Sequence, residues 1–187
     1  RRCFAFYLIR QRAARPSVIN LLTRETFPMS DFDTHQVFNQ APPFENVNLF
    51  TCDPALMEAL EREGAGWAAG ELQALGAMLG RAETLDLARQ ANVNAPRLVS
   101  FDRSGRRIDE VEFHPAWHKL MAMLIEAGAH ASPWESVRPG AQVARAAQYL
   151  LFGQVENGSQ CPVTMTYASV PALRQAGPIA AKWLPKI

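Results

Sequence analysis

The strongest constraint on the fold is a helical spacing of large apolar residues that follows His114. The spacing i, i+3, i+4, i+7 and i+8 is occupied by Trp117, Leu120, Met121, Leu124 and Ile125. It places these side chains on one face of an α-helix. His114-Pro115 puts proline at the first helical position and the histidine at the cap. Because an amphipathic helix has to bury its apolar face, we expect a fold built from packed helices.

Similar spacing predicts further helices along the chain. Asp53-Pro54 is typical of an N-cap followed by proline at the first helical position, and Glu58 and Arg62 form an i,i+4 pair on that helix. Ser132 with Glu135 fits a capping box that would begin a later helix. Four other helices are predicted. One contains Leu72–Leu79, and the others cover Glu83–Ala91, residues 140–156 and Cys161–Ser169.

Residues 97–113 follow a strand pattern instead. Asp102 and Gly105 stand at the first and last positions of a type I turn. Beyond the turn, Val111 and Phe113 alternate with glutamates, which gives one apolar and one acidic face. A two-stranded hairpin is not stable alone, so we expect it to pack on the helices. The predicted fold class is mainly α, an up-down helical bundle with a small β-hairpin.

Charge and cysteine content exclude several classes of protein. Nineteen basic and eighteen acidic residues leave a net charge of +1, so no overall field attracts nucleic acid or an anionic membrane. The three cysteines, Cys3, Cys52 and Cys161, are widely spaced. This argues against a disulfide framework or a zinc cluster and favours a reducing compartment, so the predicted location is the cytoplasm. No stretch approaches the ~18 apolar residues that cross a bilayer.

One stretch matches the sequence pattern of a nucleotide-binding motif but not the structural context that the motif requires. Residues 64–69 read Gly-Ala-Gly-Trp-Ala-Ala, which fits the dinucleotide pattern G-x-G-x-x-A. That pattern holds a pyrophosphate only between a strand and a helix. Here a predicted helix precedes it, so we interpret Gly64 and Gly66 as a helix end.

The remaining candidates for chemistry have simpler interpretations. His114 and His118 stand four residues apart but have no third metal ligand beside them. Cys161 would lie at a helix start, where a thiol can become nucleophilic, yet no histidine is near it in sequence. The acids Asp109, Glu110 and Glu112 are predicted to face water along a strand, and His35 and His130 to lie at the surface or at caps. We therefore predict no catalytic, cofactor-binding or metal-binding residue in this chain.

Residues 1–28 differ from the remainder. They carry six arginines and one acid, Glu25, and Met29-Ser30 would make an ordinary start. The interpretation we favour is an extension that is not native structure. A targeting segment, such as an Arg-rich transit peptide, and a genuine ordered arm are the alternatives. Residues 29–52, which contain Pro42-Pro43, are predicted to form an extended arm.

Several segments resemble one known family. They are THQVFNQ (34–40), REGAGW (62–67), AETLDLARQANVNAP (82–96), GRRIDEVEFHPAWHKLM (105–121) and VARAAQYLLFGQVENGSQCPVTMT (143–166). These stretches are similar to the amino-terminal region of the AidB-type alkylation-response proteins, a branch of the flavin-dependent acyl-CoA dehydrogenase superfamily. The FHPAWH and CPVTMT segments are specific for it.

The resemblance implies a parent with three domains in the order helical, β-barrel-like, helical. FAD would lie between the second and third domains, and the catalytic carboxylate would belong to the third. The family also implies a homotetramer, and a basic carboxy-terminal region that contacts duplex DNA. The first helical domain would cover one wall of the acyl pocket and contribute no catalytic residue. Thr164, Met165 and Thr166 could face that pocket, but core packing is the role we favour.

These implications set the expected domain plan and function. Residues 53–187 would be the helical domain, truncated before the flavin-binding middle domain, and its partners would be the middle and carboxy-terminal domains. The parent would oxidise acyl thioesters with FAD or protect DNA from alkylation by a related flavin reaction. We expect this chain alone to bind no FAD and to be inactive, with no membrane contact. A stand-alone helical interaction module and a nucleic-acid-binding protein are the alternatives.

Overall fold

A computed structural model describes residues 31–35 and 40–187. The chain divides into two units, residues 1–42 and residues 43–187, and every element named below lies in the second. The helices are α1 (Pro54–Arg62), α2 (Ala69–Leu79), α3 (Ala82–Val93), α4 (Pro115–Glu126), α5 (Ser132–Glu135), α6 (Ala141–Gly153), α7 (Gln160–Leu173) and α8 (Pro178–Trp183). The strands are β1 (Arg97–Phe101) and β2 (Arg107–Glu112), and short 3₁₀ turns cover Gly66–Ala68 and Leu184–Lys186.

The mainly helical fold with one small antiparallel hairpin confirms the predicted fold class. Its core combines leucines with alanines, and the small alanine side chains let the helices approach closely. The buried members are Leu49, Phe50, Leu60, Ala65, Ala68, Leu72, Leu75, Leu79, Leu124, Ala129, Ala144, Ala147, Leu151, Phe152 and Val163. Helix α6 lies at the centre, since α1, α2, α5 and α7 all contact it. The longest helix in the described ranges has 14 residues, too few to span a bilayer.

The predicted start of α1 is confirmed in detail. The Asp53 carboxylate accepts a hydrogen bond from the Leu56 amide at 2.9 Å, and Pro54 occupies the first helical position. Glu58 and Arg62 form the i,i+4 ion pair at 2.7 Å. Both ion-pair side chains are more than half exposed, so water screens the attraction and this pair adds little to stability.

Residues 46–50 pack directly on α2. The Leu49 amide donates to the Gly76 carbonyl at 3.1 Å, and the Asn46 amide donates to the Gly80 carbonyl at 2.6 Å. A Cβ at Gly76 would meet the Phe50 backbone nitrogen at 2.6 Å, and one at Gly80 would meet a backbone oxygen at 1.9 Å. The two glycines therefore open the groove that lets Leu49 and Phe50 enter the core.

The hairpin forms where it was predicted, but its surroundings differ. The Gly105 amide donates to the Asp102 carbonyl at 3.0 Å, and the Asp102 carboxylate accepts from the amides of the turn. The prediction that its apolar face packs on the helices holds for Phe113, which is half-buried and stacks on Trp117 with ring centroids 4.1 Å apart. It is wrong for the paired strands themselves, because Leu98 and Val111 are 60% and 51% exposed. These two residues are cross-strand partners. Asp109 has a φ of +48°, and the pairing register shifts near it, so the expected strict alternation is also broken.

Two predicted helix boundaries are wrong. Ser132 is not the N-cap, because α5 begins at Ser132 itself, with Ala131 at the cap, and the Ser132 amide already donates to the Gly128 carbonyl. Helix α7 does not end at Ser169 but continues to Leu173 with Pro171 inside it. Proline has no amide hydrogen for the Tyr167 carbonyl four residues earlier. The Trp134 indole donates to that carbonyl at 3.0 Å instead, which satisfies the acceptor and allows the helix to continue.

Candidate functional site

The glycine motif at residues 64–69 joins two helices. The Ala65 amide donates to the Leu60 carbonyl at 2.8 Å, and the Gly64 amide donates to the Glu61 carbonyl at 3.1 Å. Gly64 has a φ of +76°. This pair of bonds around a left-handed glycine is a Schellman helix end. The interpretation of these glycines as a helix end, and not as a nucleotide loop, is therefore confirmed.

The two histidines near the start of α4 have separate structural roles. His114 is the N-cap, and its Nδ1 accepts from the Ala116 amide at 3.2 Å. The His118 ring lies edge-on to Trp117, with centroids 5.2 Å apart, and to Phe113 at 6.0 Å. Across residues 31–35 and 40–187, no three His, Cys, Asp or Glu residues are grouped as metal ligands.

Cys161 and the hairpin acids lie at the surface. Cys161 is an exposed free thiol in the first turn of α7. Asp109 pairs with Arg107 at 2.7 Å, and Glu112 pairs with Arg97 at 2.6 Å. The interpretation of the acids as a solvent-facing group is consistent with their exposure. The absence of catalytic, cofactor and metal residues stays a prediction.

The Thr164–Thr166 segment is only partly packed. The Thr164 hydroxyl donates to the Tyr149 hydroxyl at 2.8 Å, and the Thr166 hydroxyl donates to the Pro162 carbonyl at 3.1 Å. Both threonines are half-buried. Met165 is 67% exposed, so the prediction of core packing is wrong for this residue. Met165 lies on the opposite face of α7 from Val163, which is buried.

An arginine–aromatic column, formed by Arg145, Tyr167, Trp134 and Arg174, links α5, α6 and α7. The Arg145 guanidinium carbon lies 3.6 Å from the Tyr167 ring centroid, and Tyr167 stacks on Trp134 with centroids 5.1 Å apart. The Arg174 guanidinium carbon lies 5.5 Å from the Trp134 centroid, and Arg174 donates to the Trp134 carbonyl at 3.0 Å. Cations over aromatic faces attract the ring quadrupole, so the column holds these helices together.

Arg145 is the half-buried arginine of the column. Its Nε donates to the Ala129 carbonyl at 2.8 Å. Burial lowers the pKa of the Arg145 guanidinium, because desolvation penalises the charged form, and the nearby Tyr167 and Tyr149 oppose that shift. No carboxylate of the described ranges lies within ion-pair distance of it.

A cavity of about 90 Å³ adjoins Arg145. Its wall, which we call the Arg145–Gln148 cavity, is formed by Trp67, Glu71, Ala127, Ser132, Pro133, Ser136, Arg138, Ala141, Ala144, Arg145 and Gln148. Arg145 Nη2 and Gln148 Oε1 are buried without a hydrogen-bond partner among the described residues. Trp67 supplies an aromatic wall, with the Arg138 guanidinium carbon 3.1 Å from its ring centroid.

The sequence analysis missed this cavity. One signal was available, because Ala141, Ala144, Arg145 and Gln148 recur at helical spacing and place two polar side chains on a face otherwise lined by alanine. A polar pair on a buried face indicates either a hydrogen-bonded network or a binding site. The column could not have been found in this way, since Trp134, Arg145 and Tyr167 are distant in sequence.

Comparisons with known proteins agree on one family. The model of the adaptive response protein AidB N-terminal domain matches residues 39–187. AidB of Escherichia coli K12, named as an acyl-CoA dehydrogenase, is 53% identical over 148 residues, which cover 79% of this chain and 27% of that protein. Acyl-CoA dehydrogenase family member 11 of Caenorhabditis elegans is 33% identical over 93 residues, covering 49% of this chain and 15% of that protein.

Solved structures give the same answer for the fold. The crystal structure of Caenorhabditis elegans ACDH-11 in complex with C11-CoA superposes with a TM-score of 0.65 at 26% identity, covering 76% of this chain and 25% of that one. Bd2924 in its apo form gives a TM-score of 0.66 at 28% identity, covering 74% and 28%. The chain thus spans about a quarter of the AidB and ACDH-11 chains it matches. By sequence and by fold, the chain belongs to the AidB N-terminal domain family of acyl-CoA dehydrogenase-like proteins.

Proposed function

We propose that this chain serves as the helical wall of a larger FAD-dependent flavoprotein and that other domains hold the flavin and the catalytic carboxylate. The observation that carries the proposal is the family match over residues 39–187 in a chain that spans 27% of its Escherichia coli relative. The parent would oxidise acyl thioesters or protect DNA from alkylation through a related flavin reaction. We place the parent in the cytoplasm, as a homotetramer.

The described residues do not fit FAD by themselves. Two cavities of the described residues have volumes of about 90 and 150 Å³, whereas pockets for drug-sized ligands occupy roughly 300–1,000 Å³. The glycine motif that resembles a dinucleotide loop is a helix end, with no strand before it. Both observations support a flavin site that is built outside the described part of this chain.

Exposed apolar side chains on the last two helices support a role as a wall. Met165 on α7 is 67% exposed, and Ile179 and Trp183 on α8 are 57% and 47% exposed. Large apolar side chains exposed on neighbouring elements are typical of surfaces that contact another protein or domain. The same observation favours the second candidate function, a stand-alone interaction module that pairs with other subunits.

Flavin titration tests the first part of the proposal. Purified chain is mixed with FAD and passed through a desalting column, with full-length AidB of Escherichia coli as the positive control. We expect the chain to emerge without visible flavin absorbance. A stoichiometric yellow complex would contradict the proposal.

Capture of a relative's middle and carboxy-terminal domains tests whether this chain serves as a wall. The chain is co-expressed with the tagged middle and carboxy-terminal domains of the Escherichia coli relative, and co-purification is measured. We expect equimolar capture, weakened at least tenfold by Met165→Glu, because burying a charge without a partner is strongly unfavourable. Gln175→Glu, which adds the same charge at an exposed polar position, should leave capture unchanged. Failure of the unaltered chain to be captured would contradict the proposed wall, and it would also count against a module that pairs with flavoprotein subunits.

A further inference from the structure

Helix α8 carries a cationic and aromatic face, formed by Ile179, Lys182, Trp183 and Lys186, which we call the α8 face. These residues recur at i, i+3, i+4 and i+7 along α8 and the 3₁₀ turn that follows it, so they lie on one side. The ammonium nitrogens of Lys182 and Lys186 lie 5.7 and 5.1 Å from the Trp183 ring centroid. All four side chains are exposed.

The opposite side of α8 is the one that packs on this chain. Leu184 and Ile187 are half-buried and line a cavity together with Trp134 and Val170. Helix α8 has no fully buried residue, and it contacts α7. The α8 face is therefore the outward side of the helix, where a neighbour can reach it.

Charge is divided unevenly between the end of the chain and the residues before it. Residues 43–156 carry ten basic and fifteen acidic side chains, whereas residues 157–187 carry three basic side chains and no acidic one. Neither lysine of the α8 face forms an ion pair with a carboxylate of the described residues. Because the lysines attract negative charge and the exposed ring offers apolar area, the face fits a partner that combines both.

The surroundings and the size of the α8 face narrow the choice of partner. Nucleic acids and anionic bilayers are extended fields of negative charge, which the excess of acids in residues 43–156 repels. The face spans only about 10 Å at a rise of ~1.5 Å per residue, the length of about three residues of extended chain. Its two lysines stand one helical turn apart, about 6 Å along the axis, which matches side chains at i and i+2 of an extended segment.

We propose that the α8 face binds a short acidic segment of a neighbouring protein domain. Two carboxylates of that segment, two residues apart, pair with Lys182 and Lys186, and an apolar side chain beside them packs on Trp183. The inference rests on the proposed wall, which makes the flavin-holding part of the parent the source of the segment. It adds the chemistry by which that part is held.

The blocked peptide Glu-Leu-Glu-Leu is the first probe, and Gln-Leu-Gln-Leu is its uncharged counterpart. The chain labelled with nitrogen-15 is titrated with each peptide into the low-millimolar range. With the acidic peptide we expect a saturable shift of the Trp183 indole signal, which is assigned by its loss in Trp183→Phe. The uncharged peptide should bind at least about tenfold more weakly, because it cannot form charge-assisted bonds with the lysines.

Matched charge variants test the assigned side chains. Lys182→Glu combined with Lys186→Glu reverses the charge of the face and should lower the affinity for the acidic peptide at least about tenfold. Lys182→Arg combined with Lys186→Arg keeps the charge and should keep the affinity. Lys119→Glu makes the same reversal at an exposed position on α4 and should leave the affinity unchanged.

Domain capture separates this inference from the proposed wall. The charge-reversed chain is co-expressed with the same tagged domains of the Escherichia coli relative, and we expect capture at least about tenfold weaker than that of the unaltered chain. Equal capture of the two chains would show that the α8 face is not the contact, although the wall would stand. Peptide binding without any domain capture would contradict the wall, and with it the source of the segment.

The remaining outcomes concern the chemistry of the partner. Equal binding of the two peptides, or no saturable shift with either, would overturn the assignment of an acidic segment. Tighter binding of a thymidine decamer would identify a nucleic-acid surface instead, and tighter binding of phosphatidylglycerol vesicles would identify a lipid surface.

Discussion

Replacing Gly76 by alanine tests the packing of residues 46–50 on α2. The added Cβ would lie 2.6 Å from the Asn48 side-chain oxygen and 2.6 Å from the Phe50 backbone nitrogen. Ordinary van der Waals contact begins near 3.4 Å, so the segment has to retreat by at least 0.8 Å. Neither of these two atoms can move aside by a side-chain rotation. The Phe50 nitrogen belongs to the backbone, and the Asn48 side-chain oxygen is held because it accepts a hydrogen bond from the Phe50 amide.

The magnitude follows from what this retreat disrupts. Loss of the hydrogen bond from Leu49 to the Gly76 carbonyl costs about 1 kcal/mol. Leu49 and Phe50 are 5% and 3% exposed, and losing part of the roughly 1.5–3 kcal/mol that each burial contributes adds about 2–4 kcal/mol. Alanine favours the helix by about 1 kcal/mol over glycine. The expected net loss of unfolding free energy is about 2–4 kcal/mol.

Urea unfolding measures this loss. With a slope of about 2 kcal/mol per molar urea, the midpoint should fall by about 1–2 M. The matched control is Gly70→Ala in the same helix, where a Cβ meets nothing within 4 Å. That change should raise stability by up to about 1 kcal/mol through helix propensity alone. If both variants unfolded at the same midpoint, the proposed close approach would be wrong.

Two further substitutions and one pH titration test separate elements. Asp53→Ala removes the α1 cap and should lower the unfolding free energy by about 1 kcal/mol, whereas Asp53→Asn should retain most of it. Leu124→Ala truncates a side chain with 0% exposure and should cost about 2–5 kcal/mol in a urea melt. Hydrogen bonds from Gln90 and Arg89 hold the pKa of the Asp86 carboxyl below its usual value. The native state therefore protonates the Asp86 carboxylate less readily than the unfolded state does. The stability that the ionised Asp86 carboxylate contributes is present above its unfolded pKa and is lost as the pH falls through its folded pKa. A carbon-detected titration of Asp86 that gave a normal or raised pKa would contradict this.

Local signals predicted the helices and the turn because each depends on neighbouring residues. The α1 cap is predicted by Asp53 before Pro54, and the hairpin turn by Asp102 before Gly105. Each signal lies within a few residues, and the structure confirms both predictions. The end of α7 was missed for the opposite reason. The group that satisfies the carbonyl facing Pro171 is the Trp134 indole, which comes from a different helix.

Surface exposure was harder to predict than secondary structure. Alternation correctly indicated a strand around Val111, but a period of two residues cannot say whether anything covers the apolar face. The Arg145–Gln148 cavity was missed because its wall combines α2, α5 and α6. Helical spacing locates Arg145 and Gln148 on one face of α6, yet only tertiary packing shows that two of their polar atoms lack hydrogen-bond partners within the described part of the chain.

The hairpin's irregular backbone limits how its exposed face can be covered. The left-handed Asp109 interrupts the regular ladder of β2, and Pro96, directly before β1, has no amide hydrogen to offer. Strand addition along either edge would therefore pair over only a few residues. A neighbour that shields Leu98 and Val111 therefore has to pack its side chains on the face of the hairpin. Such a contact would depend on the fit between the side chains and not on strand register.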